Sequence, residues 1–255
     1  MSEELLSEVR GAVLYLTINR PERRNAITPG VVQGLRDGIL RADRDADIRA
    51  VVITGAGEQA FCAGADLQTG RSFAFDYAEP YLGMADLFRC ARQSTVPLIA
   101  RVNGACMAGG MGLMAMCDLA IASEGARFGL PEVKLGLFPA QVLSVLQHLV
   151  PRRTLTELCL CGEPLSAREA LAAGLVNDVS DALDARLDLL LARLLNNSPA
   201  AIRRGLYTLK HMENMSFEQS MAFTESQIGL FALTEDAREG QLAFREKREP
   251  LWTGR

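Results

Sequence analysis

Histidine is nearly missing from this chain: His148 and His211 are the only two, and they stand far apart. No metal cluster and no evident Ser-His-Asp arrangement can be assembled from them, and no metal site is expected. The six cysteines (Cys62, Cys90, Cys106, Cys117, Cys159 and Cys161) include no CxxC pair and have no histidine beside them. Most sit within apolar runs, so buried, reduced thiols are expected. An uninterrupted apolar run of roughly 18 residues is also lacking, so no membrane span is expected. The opening MSEELLSEVR is acidic and has neither a basic nor an apolar signal region, which points to the cytoplasm. Basic excess is missing too: the net charge of −4 argues against a nucleic-acid partner, though a few local arginines suffice to hold an anionic ligand.

What is present suits a globular enzyme. A length of 255 residues with 49% hydrophobic content can bury one large core, with or without a small appendage. Ala12–Ile18, Arg49–Thr54, Pro97–Val102 and Asp118–Ala122 read as strands, and the second is continuously apolar, as in a sheet covered on both faces. Helices are expected after Thr28-Pro29, over Tyr81–Arg92 and over Met111–Cys117. Repeated strand–turn–helix units imply an α/β fold. From Pro139 the pattern changes to helices alone, and Asn196-Asn197-Ser198-Pro199 is the clearest boundary. The roughly sixty residues beyond it are too few to bury much by themselves, so they should pack on the core or on another subunit.

Gly55…Ala60 satisfies a loose GxGxxA pattern, but no long apolar helix begins there, so a dinucleotide site is not expected. Two other small-residue turns carry more weight. Phe61-Cys62-Ala63-Gly64-Ala65-Asp66-Leu67 and Met107-Ala108-Gly109-Gly110 each follow a strand and leave backbone N–H groups accessible. Two such N–H groups aimed at one oxygen stabilise an oxyanion. Glu132, an acid among Phe128, Leu130, Val133 and Leu135, has reason to hold a raised pKa and to transfer protons. Asp66 is expected to cap the turn that follows it.

The motifs INRPERRNA (18–26), VVITGAGEQAFCAGADL (51–67), VNGACMAGGMGLMAMCDLAIAS (102–123), ARFGLPEVKLGLFP (126–139), LCGEPLSAREALAAGLVN (160–177) and FREKREPLWTG (244–254) resemble the enoyl-CoA hydratase/isomerase (crotonase) family. The resemblance runs through nearly the whole chain in the family's order. It implies a spiral of repeated β-β-α units over residues 1–195 and a helical trimerisation region over 196–255. It further implies that Ala65 and Gly109 supply the oxyanion N–H groups and that Glu132 is the acid/base. Arg23, Arg24, Ala63, Phe244 and Lys247 would hold coenzyme A, the last two often from the adjacent subunit. The implied partner is an acyl-CoA thioester with no separate cofactor, and the implied assembly is a homotrimer or a dimer of trimers.

Departures from the family's pattern narrow the reading. Hydratases carry a second glutamate two residues beyond the last glycine of the glycine turn, and here that position is Gly112. The lysine often found after the AGAD turn is Gln68, and the acid of dienoyl isomerases would fall at Ala140. Two carboxylates suit water addition, because one must activate water while a proton reaches the α-carbon. A single one suits moving a proton between C4 and C2. Hydration, isomerisation, binding without turnover, and thioester hydrolysis or decarboxylation on the same scaffold all remain open at this stage.

Overall fold

In the computed structural model, residues 4–66 and 83–255 are described. The chain opens with strands β1 (Leu5–Arg10) and β2 (Val13–Ile18), helix α1 (Pro29–Arg44), then β3 (Ala50–Gly55) and the short β4 (Ala60–Cys62). Helix α2 (Gly83–Gln93) leads to β5 (Leu98–Val102), β6 (Ala105–Met107) and α3 (Gly109–Ala115). Strands β7 (Leu119–Ser123) and β8 (Arg127–Gly129) precede α4 (Ala140–Leu146) and α5 (Arg152–Cys161). Next come β9 (Leu165–Ser166), α6 (Ala167–Ala172), β10 (Asp178–Ser180) and α7 (Leu183–Leu195). Helices α8 (Pro199–Met212), α9 (Phe217–Ala232) and α10 (Glu235–Glu246) close the chain.

From β3 to β8 successive strands alternate between two sheets. One has the order β1-β2-β3-β5-β7-β10, and the other the order β4-β6-β8-β9. Apart from the β1–β2 and β8–β9 pairs, the ladders are parallel. Period-two alternation explains the two cores. Leu14, Leu16, Val51 and Ile53 face the large core shared with α1 and α2, whereas Val13, Val52, Ile99 and Ile121 face α7 through Leu183, Leu187 and Leu191. Asparagines hold the corners between sheets. Asn25 Nδ2 donates to the Ala56 and Ala60 carbonyls at 3.0 and 2.7 Å, and Asn103 Nδ2 donates to Gly57 O and Ala60 O at 2.6 and 3.1 Å.

The β-β-α repeat is therefore present, with corrections to the expected elements. Strand β1 was not expected; it pairs only with β2, and Leu5 is its sole buried residue, as befits a charged edge strand. The all-helical reading after Pro139 is overturned by β9 and β10, which pair with β8 and β7. Two- and three-residue strands exist by tertiary pairing, so propensity does not announce them. Residues 67–80, expected to be a polar segment, and Tyr81 lie outside the described residues. All six cysteines are free: Cys62, Cys90, Cys106 and Cys159 are buried, Cys117 is partly buried, and Cys161 is exposed. No helix among the described residues is long and apolar enough to cross a membrane.

The C-terminal helices pack on their own core, one of the two expected alternatives. Lys210 of α8 pairs with Asp118 at 2.8 Å and donates to Ala91 O and Ser94 O at 3.1 and 3.0 Å. Arg203 donates to four carbonyls at the end of α1 and beyond, those of Ala42, Asp43, Asp45 and Ile48. Helix α9 is covered far less: Phe217, Met221 and Ile228 are exposed.

Candidate active site

Three neighbouring parallel strands build the site. In the order β4-β6-β8, each releases one candidate segment beyond its C-terminal end. Ala63-Gly64-Ala65 follows β4, Ala108-Gly109 follows β6, and Leu130-Pro131-Glu132 follows β8. The residues are distant in sequence, and strand pairing brings them to one edge. Ligand sites of parallel α/β sheets lie at such carboxyl ends.

The two small-residue turns touch. A Cβ built on Gly64 would lie 2.7 Å from Ala108 Cβ and 3.4 Å from the Gly109 nitrogen, so only glycine allows this approach. Gly64 also holds a φ of +94°, and Ala108 one of +51°, a conformation that costs a residue with a side chain energy. Gly110 admits β4 equally closely, since a Cβ there would meet Cys62 O at 2.3 Å. Ile27 fixes the first turn from the other side: its N–H donates to Gly64 O at 2.8 Å and its carbonyl accepts from Asp66 N at 3.0 Å. The N–H of Ala65, between those two bonds, and that of Gly109, in the first turn of α3, have no acceptor among the described residues.

Glu132 stands in a one-turn 3-10 helix, Pro131–Leu135, whose proline presets the first turn. The side chain is half-buried, and its Oε2 is buried with no hydrogen-bond partner among the described residues. Burial raises its pKa above the ordinary 4.5, offset in part by its own backbone N–H. The apolar setting is narrower than expected: Phe128 and Leu130 are fully buried, but Val133 and Leu135 are exposed. A carboxyl group that is poorly solvated and unpartnered holds its proton to higher pH than a free one.

Arg23, Arg24, Ala63 and Ala65 line one cleft of about 330 Å³, together with Asp66. Arg24 and Asn25 adopt consecutive left-handed conformations, and Arg24 O accepts from Ala63 N at 3.0 Å, which binds this loop to the turn after β4. Phe244 and Lys247 do not line this cleft. Phe244 is exposed beside Trp252 in a second groove of about 730 Å³ formed by α8, α9 and α10, and Lys247 ends α10 in a left-handed conformation. Gln68 is outside the described residues. Asp66 is paired with Arg20 at 2.8 Å, and the turn it is expected to cap lies outside the described residues. Sequence reasoning passed over Arg20 as a positioning group, although it stands inside the INRPERRNA motif, where a buried arginine needs a partner.

Gly112, where a second carboxylate would stand, faces side chains. A Cβ there would lie 2.6 Å from Phe88 Cζ and 3.2 Å from Val142 Cγ2.

Comparison with known proteins agrees with this geometry. The family model described as enoyl-CoA hydratase/isomerase matches residues 8–255. An (E)-benzylidenesuccinyl-CoA hydratase of Thauera aromatica is 34% identical over 251 residues, covering 97% of this chain and 98% of that protein. A 2,3-dehydroadipyl-CoA hydratase of Escherichia coli K12 is 35% identical over 265 residues, the full length of both. Among solved structures, an enoyl-CoA hydratase of Mycobacterium smegmatis superposes with a TM-score of 0.92 at 32% identity, covering 98% of each chain. With the whole chain matched in both sequence and fold, this protein is an enzyme of the enoyl-CoA hydratase/isomerase family, with the crotonase-type α/β fold.

Proposed function

We propose that the chain acts on an enoyl-CoA thioester through one carboxylate. The thioester carbonyl oxygen accepts hydrogen bonds from Ala65 N–H and Gly109 N–H, which stabilise the enolate at a few kcal/mol per donor. From a 3-enoyl thioester, the Glu132 carboxylate takes a C2 proton and the electron pair spreads as a dienolate on to the carbonyl oxygen. The proton returns at C4, leaving the conjugated 2-enoyl product and a regenerated carboxylate. Arg23, Arg24 and Ala63 hold the nucleotide end of coenzyme A. Phe244 and Lys247 complete that site from a neighbouring subunit of a homotrimer or dimer of trimers. No cofactor beyond the substrate's own coenzyme A takes part, and the free thiols fit a reducing cytoplasm.

The observation that carries this reading is the edge shared by β4, β6 and β8, from which Ala65, Gly109 and Glu132 all emerge. Isomerisation fits best because Gly112 supplies no second acid and side chains fill the space beside it. Hydration is the second reading, favoured by relatives named as hydratases. Offering 2-enoyl-, 3-enoyl- and 3-hydroxyacyl-CoA while following the conjugated thioester absorbance separates them. Absorbance gained from 3-enoyl-CoA supports isomerisation, and absorbance lost from 2-enoyl-CoA supports hydration. Acyl-CoA binding without either change would overturn the enzymatic reading of the site.

A further inference from the structure

Helix α2 lies against α3 with one apolar face. A Cβ on Gly109 would stand 3.6 Å from Met84 Cε and 2.9 Å from Ile27 Cδ1, and a Cβ on Gly112 would stand 2.6 Å from Phe88 Cζ. Met84 and Phe88 are four residues apart on α2, and Gly109 and Gly112 three apart on α3, so each pair shares a helix face. Val142 of α4 closes the remaining side, with its Cγ2 at 3.2 Å from the same built Cβ. Phe88 and Val142 are 7% and 6% exposed. Among the described residues, the side chains over this stretch of α3 are therefore apolar. A water held there would need two to four polar partners, and these side chains offer none.

We propose that Phe88 determines which reaction the site runs, by filling the volume over Gly112 and denying it to water and to any second acid. This rests on the reading of Ala65, Gly109 and Glu132 as the reacting constellation. With Phe88 in place, the one mobile proton is the proton that Glu132 takes from the substrate, and it can only be returned to the substrate's own carbons. With that volume opened, a water can stand beside C3. Its oxygen then bonds to C3 while Glu132 takes its proton and passes a proton to C2, two tasks that Gly112→Glu would divide between two carboxylates. The ring of Phe88, rather than the mere lack of a glutamate, is the obstacle, so Gly112→Glu alone does not create a hydratase.

The test compares Phe88→Ala, Phe88→Leu, Gly112→Glu and the Phe88→Ala/Gly112→Glu pair, each supplied with 2-enoyl- and 3-enoyl-CoA. The readout is the ratio of 3-hydroxyacyl to isomerised product. Phe88→Ala is expected to raise that ratio several-fold, Phe88→Leu less, and the double variant by about a hundredfold, the scale of one positioned acid/base. A folded Gly112→Glu enzyme that hydrates as well as the double variant would overturn the proposal. So would a ratio unmoved in folded Phe88→Ala. A second arm needs no turnover: Gly112→Ala should lower the melting temperature with Phe88 present and far less in the Phe88→Ala background. Equal losses would show that the ring does not fill this volume. Failure of the underlying reading looks different, because Glu132→Gln would then keep full activity in every background.

Discussion

Arg20 and Asp66 form a nearly buried ion pair across the segment that carries Ala65. Arg20 Nη2 lies 2.8 Å from Asp66 Oδ2, with the two side chains only 14% and 11% exposed. The same guanidinium donates to Ala26 O at 2.9 Å and pairs with Glu4 at 3.1 Å. It thus grips the chain just before Ile27 and just after Ala65, the two residues joined as an isolated bridge. Arg20→Met should remove the shared guanidinium from Asp66, Glu4 and Ala26 O together and cost about 3–5 kcal/mol in chemical denaturation. If the protein folds and Ala65 N–H serves the thioester as proposed, kcat should fall more than acyl-CoA affinity. Arg20→Lys should recover only part of both, lacking the fork that reaches several acceptors.

That pair illustrates what the sequence could and could not reveal. The small-residue turns and the Pro-Glu step were visible as local features, and the family resemblance then singled out Ala65, Gly109 and Glu132 within them. Their convergence was not visible, since it depends on Cys62 pairing with Cys106 and Cys106 with Phe128 across strands of three residues. Strands β9 and β10 escaped for the same reason. The consequence of Gly112 also lay outside the local pattern: the Phe88 ring arrives from an element more than twenty positions away in sequence. Periodicity finds long helices such as α7 and α8 readily, but it does not state which of them anchors to the core through a charge.

The burial that would suit Glu132 to the proposed proton transfer also sets how it contributes to stability. Its folded pKa is raised by burial, so the folded state retains a proton that the unfolded chain releases near the ordinary 4.5. Stability from this group is therefore present at low pH and lost as pH rises through the folded pKa. Glu132→Gln should abolish turnover, leave acyl-CoA binding within a few-fold, and be neutral or slightly stabilising at pH 7. The acidic limb of the wild-type kcat/KM profile should lie above the ordinary glutamate value. A limb at or below it, or an active Gln variant, would remove Glu132 from the role.

Lys210 and Asp118 are 15% and 14% exposed, and burial raises the Asp118 carboxyl above its usual pKa in spite of the lysine. Lys210→Met should therefore destabilise by about 3–5 kcal/mol, and adding Asp118→Asn should recover much of the loss. Deleting all residues after Pro199 would remove Lys210 from this carboxylate and Arg203 from the end of α1, so core destabilisation is expected. Urea denaturation of the single and double variants measures the coupling.

Asp236 ties the C-terminal tail to the start of α8. Its Oδ2 accepts from Ser198 Oγ at 2.7 Å, and its Oδ1 accepts from Thr253 N and Gly254 N at 2.8 and 3.0 Å. Burial pushes its pKa up, but the bonds from Ser198, Thr253, Gly254 and Ala200 outweigh that and hold it below the ordinary 3.8. The resulting stability is present above that value and lost as pH falls through the folded pKa. Asp236→Asn should cost about 1.5–3 kcal/mol and speed proteolysis of residues 249–255.

Phe217 and Ile228 of α9 and Leu233 just beyond it are 66–73% accessible in the single chain, an apolar surface of the kind that marks interaction sites. Phe244 lies beside Ile228 in the groove of α8, α9 and α10, away from the cleft that holds Arg23 and Arg24. If Phe244 and Lys247 serve coenzyme A, they serve a neighbouring subunit's cleft, and assembly and affinity must be linked. Ile228→Glu should reduce the species seen by light scattering to a monomer, raise KM for acyl-CoA, and leave the melting of the core little changed. Phe244→Ala should raise KM within an intact assembly. A monomeric Ile228→Glu protein with unaltered KM would separate the two properties and leave α10 with a purely structural task.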